Sequence, residues 1–290
     1  MEQLLKMGPV TLALRDFPIF TQYPFRDWKL DAFTVTEGTP DLIVCYENAP
    51  IAATGEPVYR DHSVYAHRQL YALPDGQLLW QQTYRDTLQL QLVVNRDRTV
   101  ITVTADETQT FGMAVLESLT FLVFYLFLQK QVLSFHGVLL EADGKGLVIA
   151  ADSGVGKTTH ARLWRDHKNA LILNGDRSCC YSCQGNWLGF GTPWCGTSGE
   201  YLNRQVPVCA LVVLERNHVN QVTQLHGAQK LQTLLPHVLL PQFDRALTGQ
   251  AWTLLERFLA DIPVLLLQCT PDVQAVEVLQ QYLENQNDRT

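Results

Sequence analysis

The run GLVIAADSGVGKTTHARLW, residues 146–164, constrains this chain more than any other stretch. Its apolar start is short and bounded by turn residues, which reads as a buried strand. Small residues follow, and Lys157-Thr158 then opens a helical pattern. Strand, glycine loop and helix in that order match the phosphate-binding pattern Gly, four residues, Gly, Lys, Ser or Thr, with Ala151 in the first glycine position. Small residues let backbone N–H groups curl around anionic oxygens, and the helix N-terminus adds its positive end. The amides of Ser153, Gly154, Val155 and Gly156, with Lys157, are therefore the expected phosphate ligands, and the Thr158 hydroxyl the expected contact to Mg²⁺. Alanine is the smallest substitute for the first glycine, adding one methyl group where the chain leaves the strand.

The flanking sequence is organised in two parts. From residue 30 to about 108 short runs rich in Val, Ile, Leu, Tyr and Thr alternate with turn signals. PDGQ (74–77) and NRDR (95–98) are expected hairpin turns, giving a largely antiparallel meander. An apolar helix is expected from about Gly112 to Gln129. Beyond it, SFHGVLLEADGKGLVIAA reads as two strands joined at Asp143–Gly146. Strands and helices then alternate to a last helix near 272–286, an α/β pattern. The expected division is a β-rich region at 1–110 and a nucleotide-binding domain at 111–290.

Composition narrows the partners. The chain has 290 residues, 47% hydrophobic and 18% charged, with a formal charge of −7. No block of Lys or Arg supplies a nucleic-acid footprint, so none is expected as partner. The apolar part of LTFLVFYLFLQKQVL (119–133) stops after about ten residues, where a span needs about 20. No membrane is expected, and no signal segment is evident, so the expected compartment is the cytoplasm. Seven cysteines suit reduced thiols, and SCCYSC reads as a strand, which turns Cys180 and Cys183 to opposite faces rather than onto one metal.

HGVLLEADGKGLVIAADSGVGKTT resembles the catalytic domain of the bacterial kinase/phosphorylase acting on the phosphocarrier protein HPr. It keeps that family's His136-Gly137-Val138-Leu139 strand and its Asp152-Ser153-Gly154-Val155-Gly156-Lys157 loop, with Thr158 for Ser. The fold this implies is the α/β nucleotide-binding fold shared with ATP-dependent phosphoenolpyruvate carboxykinases, a PEP carboxykinase-like P-loop domain over residues 134–270. The resemblance places a histidine, here His136, beside the transferred phosphate. It places an aspartate pair after the next strand, where LILNGDRSC offers Asp176 alone, flanked by Gly175 and Arg177. Asp176 then orients the attacking hydroxyl or holds the metal. EYLNRQVPV resembles the carboxykinases' arginine segment and makes Arg204 the expected partner of the transferring phosphoryl group. Glycines between 189 and 199 mark a mobile substrate lid, with Trp194 and Glu200 as lesser members. The family's C-terminal Arg-Gly-Leu-Gly loop is absent, so HPr is not the implied substrate.

The resulting expectation is an ATP- and Mg²⁺-dependent kinase acting on a hydroxyl of a peptide, protein or small metabolite. Asp176, His136 and Arg204 are its expected catalytic residues, and Thr158 and Asp176 its metal ligands. A homo-oligomer is one expected assembly. The alternative is a nucleotide-binding regulatory or partner-binding protein whose catalysis went with the second aspartate.

Overall fold

A computed structural model describes residues 2–16, 30–62, 67–85, 87–105 and 113–287. Contacts divide the chain into two compact units, Met1–Lys130 with Pro241–Thr248, and Gln131–Leu240 with Gly249–Thr290.

The first unit is built on a nine-stranded sheet. Its strands are β1 (Glu2–Met7), β2 (Val10–Arg15), β3 (Thr34–Val35), β4 (Leu42–Tyr46) and β5 (Tyr59–His62). They continue with β6 (His67–Ala72), β7 (Leu78–Tyr84), β8 (Thr87–Val94) and β9 (Val100–Ala105). The spatial order is β3-β1-β2-β4-β9-β8-β7-β6-β5. Antiparallel pairing runs from β5 to β9, with the PDGQ and NRDR turns joining β6 to β7 and β8 to β9. The meander is not antiparallel throughout, because β2–β4 and β4–β9 pair in parallel. Period-two burial is clear on β9, where Ile101 and Val103 are fully buried. Helix α1 (Met113–Leu126) is followed by a tighter turn at Phe127–Lys130. The expected helix start at Gly112 and the expected boundary at 110/111 lie outside the described residues. The helix falls in the first unit, whose first segment ends at Lys130. Its Phe121 packs against Tyr59, Trp80 and Phe243 with ring centroids 5.2, 6.1 and 5.9 Å apart, which ties the helix to the sheet. Among the described residues no helix is long and apolar enough to cross a membrane.

The second unit is mixed α/β. Its strands are β10 (Val132–Ala142), β11 (Lys145–Ala150), β12 (Leu171–Asn174) and β13 (Arg177–Cys183). They continue with β14 (Asn186–Phe190), β15 (Gln205–Arg216), β16 (Gln221–Gln224) and β17 (Val264–Cys269). The helices are α2 (Lys157–Lys168), α3 (Ala228–Leu234), α4 (Arg245–Asp261) and α5 (Val273–Asn287). At the centre β11, β15 and β17 run parallel, with Val148 opposite Leu211 and Leu211 opposite Val264. Strand β10 is long enough to serve three partners, pairing with β13 through its first half and with β11 and β12 through its second. Since β13, β14 and β15 also pair in turn, the ladder closes through β10, β11, β15, β14 and β13.

Side chains from β10, β11, β15 and β17 meet Ala161 and Trp164 of α2 and Ala275, Val276 and Leu279 of α5 in one core. Helix α2 ends at Asn169, in the left-handed region at φ 52°, with Arg165, His167 and Lys168 in its last turn complementing the helix dipole. Burial of α2 fixes the direction of the loop before it, and that loop carries the site.

His160 on α2 gives this core a pH dependence. It is buried, and its Nε2 accepts the Trp164 Nε1–H at 3.1 Å. Burial pushes its pKa down from 6.5 to about 4. Above pH about 6.5 the ring is neutral in both folded and unfolded chains and contributes nothing. Between those values the unfolded chain takes a proton that the folded chain refuses, so stability falls as pH falls. The loss at pH 5 is expected to be about 2 kcal/mol, approaching about 3 kcal/mol at pH 4. Urea midpoints at pH 7 and pH 5 check this against His160→Gln, which keeps an acceptor for Trp164 and should lose that part of the acid sensitivity. Equal pH slopes in the two proteins would remove His160 as the cause.

Candidate active site

The parallel strands β11, β15 and β17 end on one side of the sheet, where ligands of open α/β folds bind. Residues 151–156 follow β11 there. Ala151 is fully buried in the core beneath, and its φ lies outside the left-handed region. The first position thus takes a Cβ without strain, and the methyl group is packed. Gly154 (φ 75°) and Gly156 (φ 127°) hold the backbone angles that a side chain disfavours. Arg216, at the end of β15, donates to the carbonyls of Gly154 and Val155, the latter at 3.2 Å. In a trans peptide the N–H points opposite the C=O, so this arginine turns the Gly156 N–H inward. The Val155 N–H closes a 3.3 Å turn on Asp152, while the first N–H groups of α2 have no intrahelical partner. The result is a concave cradle of donors.

Lys157 is folded back on this cradle, donating to the Ala151 carbonyl at 2.6 Å and the Asp152 carbonyl at 3.4 Å. Burial lowers its pKa, and the carboxylates of Asp176 and Asp152 oppose that shift. Asp176 lies in the turn between β12 and β13. Asn174, fully buried, builds the turn: its Oδ1 accepts the N–H groups of Asp176 and Arg177 at 2.9 and 2.6 Å. Its Nδ2 donates to Thr192 and Trp194 across the next loop. Asp176 Oδ1 is 3.6 Å from His136 Nδ1 and its Oδ2 is 3.5 Å from Arg177 Nε. Arg177 also donates to His136 Nδ1. Burial first, then the Arg177 cation, lowers the His136 pKa, with Asp176 opposing. A neutral His136 accepting at Nδ1 carries its proton on Nε2 and presents a donor to the site.

The structure thus brings Lys157, His136 and Asp176 together at the cradle and adds Arg177, which the sequence offers only as the replacement for an acid. It also decides the neighbouring position. A Cβ on Gly175 would stand 1.8 Å from Ser198 Oγ, so a second carboxylate there has no space.

Arg204 is not brought to the cradle. Its guanidinium forms a two-point pair with Glu141, one arm at 2.7 Å and the other closer still. Glu141 pairs with Gly146 at the far end of the β10–β11 ladder from Ala150, about 13 Å along the strand. The expected lid also differs. Thr192 and Trp194 are buried, and a Cβ on Gly191 would lie 1.9 Å from the Leu202 carbonyl oxygen. That glycine serves close approach of two backbones rather than freedom of movement. Glu200 instead binds Arg162 and Arg165 of α2, at 3.5 and 2.5 Å, and its carbonyl accepts the Gly175 N–H.

Sequence reasoning missed Arg216 and His237. An arginine closing an apolar strand, VVLER, is a visible signal for the first. A cavity of about 620 Å³ opens beside the cradle, lined by Gly154, Gly156, Thr159, Arg216, His218 and Thr270 among others. Its size suits a small molecule. Cys179 and Cys180 are buried on β13, their thiols pushed up by burial, the first to about 12, which keeps them protonated and unreactive.

No family model matches the chain, and no curated protein matches it. Among solved structures, the HPr(Ser) kinase/phosphatase from Coxiella burnetii aligns with a TM-score of 0.33 and 10% identity, over 53% of this chain and 98% of that one. At that level the chemistry of the site is read from its own residues.

Proposed function

We propose that the second unit is an ATP-dependent phosphotransferase that moves the terminal phosphoryl group to a hydroxyl of a peptide, protein or small metabolite. One observation carries the reading: a donor-lined glycine loop with Lys157 at its exit lies beside a cluster of His136 from β10 with Asp176 and Arg177 from the turn into β13. Backbone donors and Lys157 hold the phosphates, and the cavity past Arg216 receives the nucleoside. Arg177 and the His136 Nε2–H meet negative charge on the transferring group. Asp176 orients the attacking hydroxyl.

Mg²⁺ fits this donor set. Among the described residues no group of three or more His, Cys, Asp or Glu side chains could hold a metal. Mg²⁺ keeps waters and takes most other ligands from substrate phosphates, so the Thr158 hydroxyl and the Asp176 carboxylate suffice as protein contacts. When bound, the ion neutralises charge on the phosphate oxygens.

The test is calorimetric titration of ATP with and without Mg²⁺, followed by measurement of ADP release with hydroxyl-bearing acceptors. Saturable binding with transfer supports the enzyme. Saturable binding without transfer to any acceptor supports the regulatory alternative, and no binding removes both.

A further inference from the structure

A second histidine reaches the cradle from a distant part of the chain. The tight turn Leu235–His237 leads into Val238, which bridges antiparallel to Phe135 of β10. The Leu239 N–H donates to the Ser134 carbonyl at 2.9 Å, fixing the same register. Antiparallel pairing of 135 with 238 sets 136 opposite 237. Phe135 and Val238 turn into the core, and His237, the last residue of the tight turn, stands close enough to His136 for its charge to act on that ring.

His237 is 6% exposed, yet its ring bonds to no described residue, and its nitrogens are not sealed from solvent. The groups facing it are His136 from β10, Asp152 from the loop and Lys157 from α2, with Asp176 and Arg177 beyond His136. The neighbouring groups are otherwise engaged. His136 Nδ1 accepts the hydrogen bond of Arg177, and the two Asp176 oxygens face His136 and Arg177. An imidazole with an open nitrogen is a group suited to take a proton there.

We propose that His237 faces the transferring phosphoryl group and accepts the proton of the incoming hydroxyl. This rests on the phosphotransferase reading above. The hydroxyl oxygen bonds to the terminal phosphorus, and the bond from that phosphorus to the bridging oxygen breaks, its electron pair leaving with ADP. The hydroxyl proton passes to a His237 ring nitrogen and from there to water. Burial, assisted by Lys157 and opposed by Asp152, holds the His237 pKa below the ordinary imidazole value, so the ring is neutral and able to accept at pH 7.

Two measurements on the full chain test this. Histidine ring resonances are followed while a non-hydrolysable ATP analogue and Mg²⁺ are added, and His237 is expected to shift with the binding isotherm. Binding with His237 unmoved overturns the inference alone, whereas absence of saturable binding overturns the nucleotide reading beneath it. In the second, ADP release with water as acceptor is compared between wild type and His237→Gln. The variant is expected to lose about 10²-fold in kcat and the acidic limb of its pH profile, with KM for ATP within about threefold. A wild-type rate with the limb intact overturns the inference. His237→Asn, checked by thermal melting, separates loss of the proton acceptor from loss of fold, and the resonance experiment needs no variant.

Discussion

Lys157→Ala is expected to weaken ATP binding by about 10- to 100-fold and to cut turnover by about 10³-fold. The first figure is the loss of a charge-assisted hydrogen bond to phosphate, about 1.5–3 kcal/mol. The second is larger because charge on the phosphate oxygens shifts as the bond breaks, and a fixed cation is worth more in the transition state than in the ground state. The lysine's present partners are the carbonyls of Ala151 and Asp152, and on the proposed reading the ammonium is expected to exchange them for phosphate oxygens. Both contacts run from the lysine to backbone carbonyls, so truncation is expected to leave the fold intact, which a thermal melt verifies. Lys157→Arg is not expected to rescue, since the planar fork does not replace a compact ammonium in a cradle of this size. Calorimetry on wild type and both variants reads the result. Binding by Lys157→Ala at the wild-type affinity would remove the nucleotide reading altogether.

The parts of this molecule legible in sequence are those whose cause is local. The strand at 146–150, the small residues after it and the helix from Lys157 are each dictated within a few residues. The hairpins at 74–77 and 95–98 follow from turn chemistry in the same way. The parallel pairing of β2 with β4 and of β4 with β9 joins segments about 30 and 57 residues apart, and nothing in either strand's composition names its partner. The β1–β2 hairpin is missing from the sequence expectation although Gly8, at φ 51°, supplies its turn.

Contacts of the expected site residues that sequence does not reveal have the same origin. Arg204 looks like a phosphate ligand by its neighbours in sequence, but its partner Glu141 lies 63 residues away. Glycines at 175 and 191 read from sequence as missing acid or flexible lid, whereas both are placed by backbone and side chains from other segments. His237 meets His136 only through the register of a single bridge between residues 135 and 238. Sequence spacing carries none of these distances. What it does carry is the order of strand, small-residue loop and helix, because each is set by residues next to it in the chain.

Asp176→Asn is expected to leave ATP binding near wild type while phosphoryl transfer falls by about 10²-fold or more. Asparagine preserves the volume and leaves in place the turn that Asn174 builds with the 176 and 177 N–H groups. What it removes is the negative charge between His136 and Arg177. The acceptor hydroxyl then loses the strong acceptor that orients it, and Arg177 loses one of the two contacts that fix its guanidinium at the site. Lys157 also loses a carboxylate that favours its charged form, so any effect on ATP affinity is expected above neutral pH, where the ammonium is easier to deprotonate. Measuring ATP affinity at pH 7 and pH 9 beside single-turnover transfer separates the two consequences. Transfer at the wild-type rate would dismiss Asp176 from the chemistry. Affinity lost at pH 7 in step with transfer would assign it to holding the nucleotide and its metal instead of the hydroxyl. Because Gly175 has no room for a side chain against Ser198, no second carboxylate at that position can compensate, and the whole effect of the substitution falls on one residue.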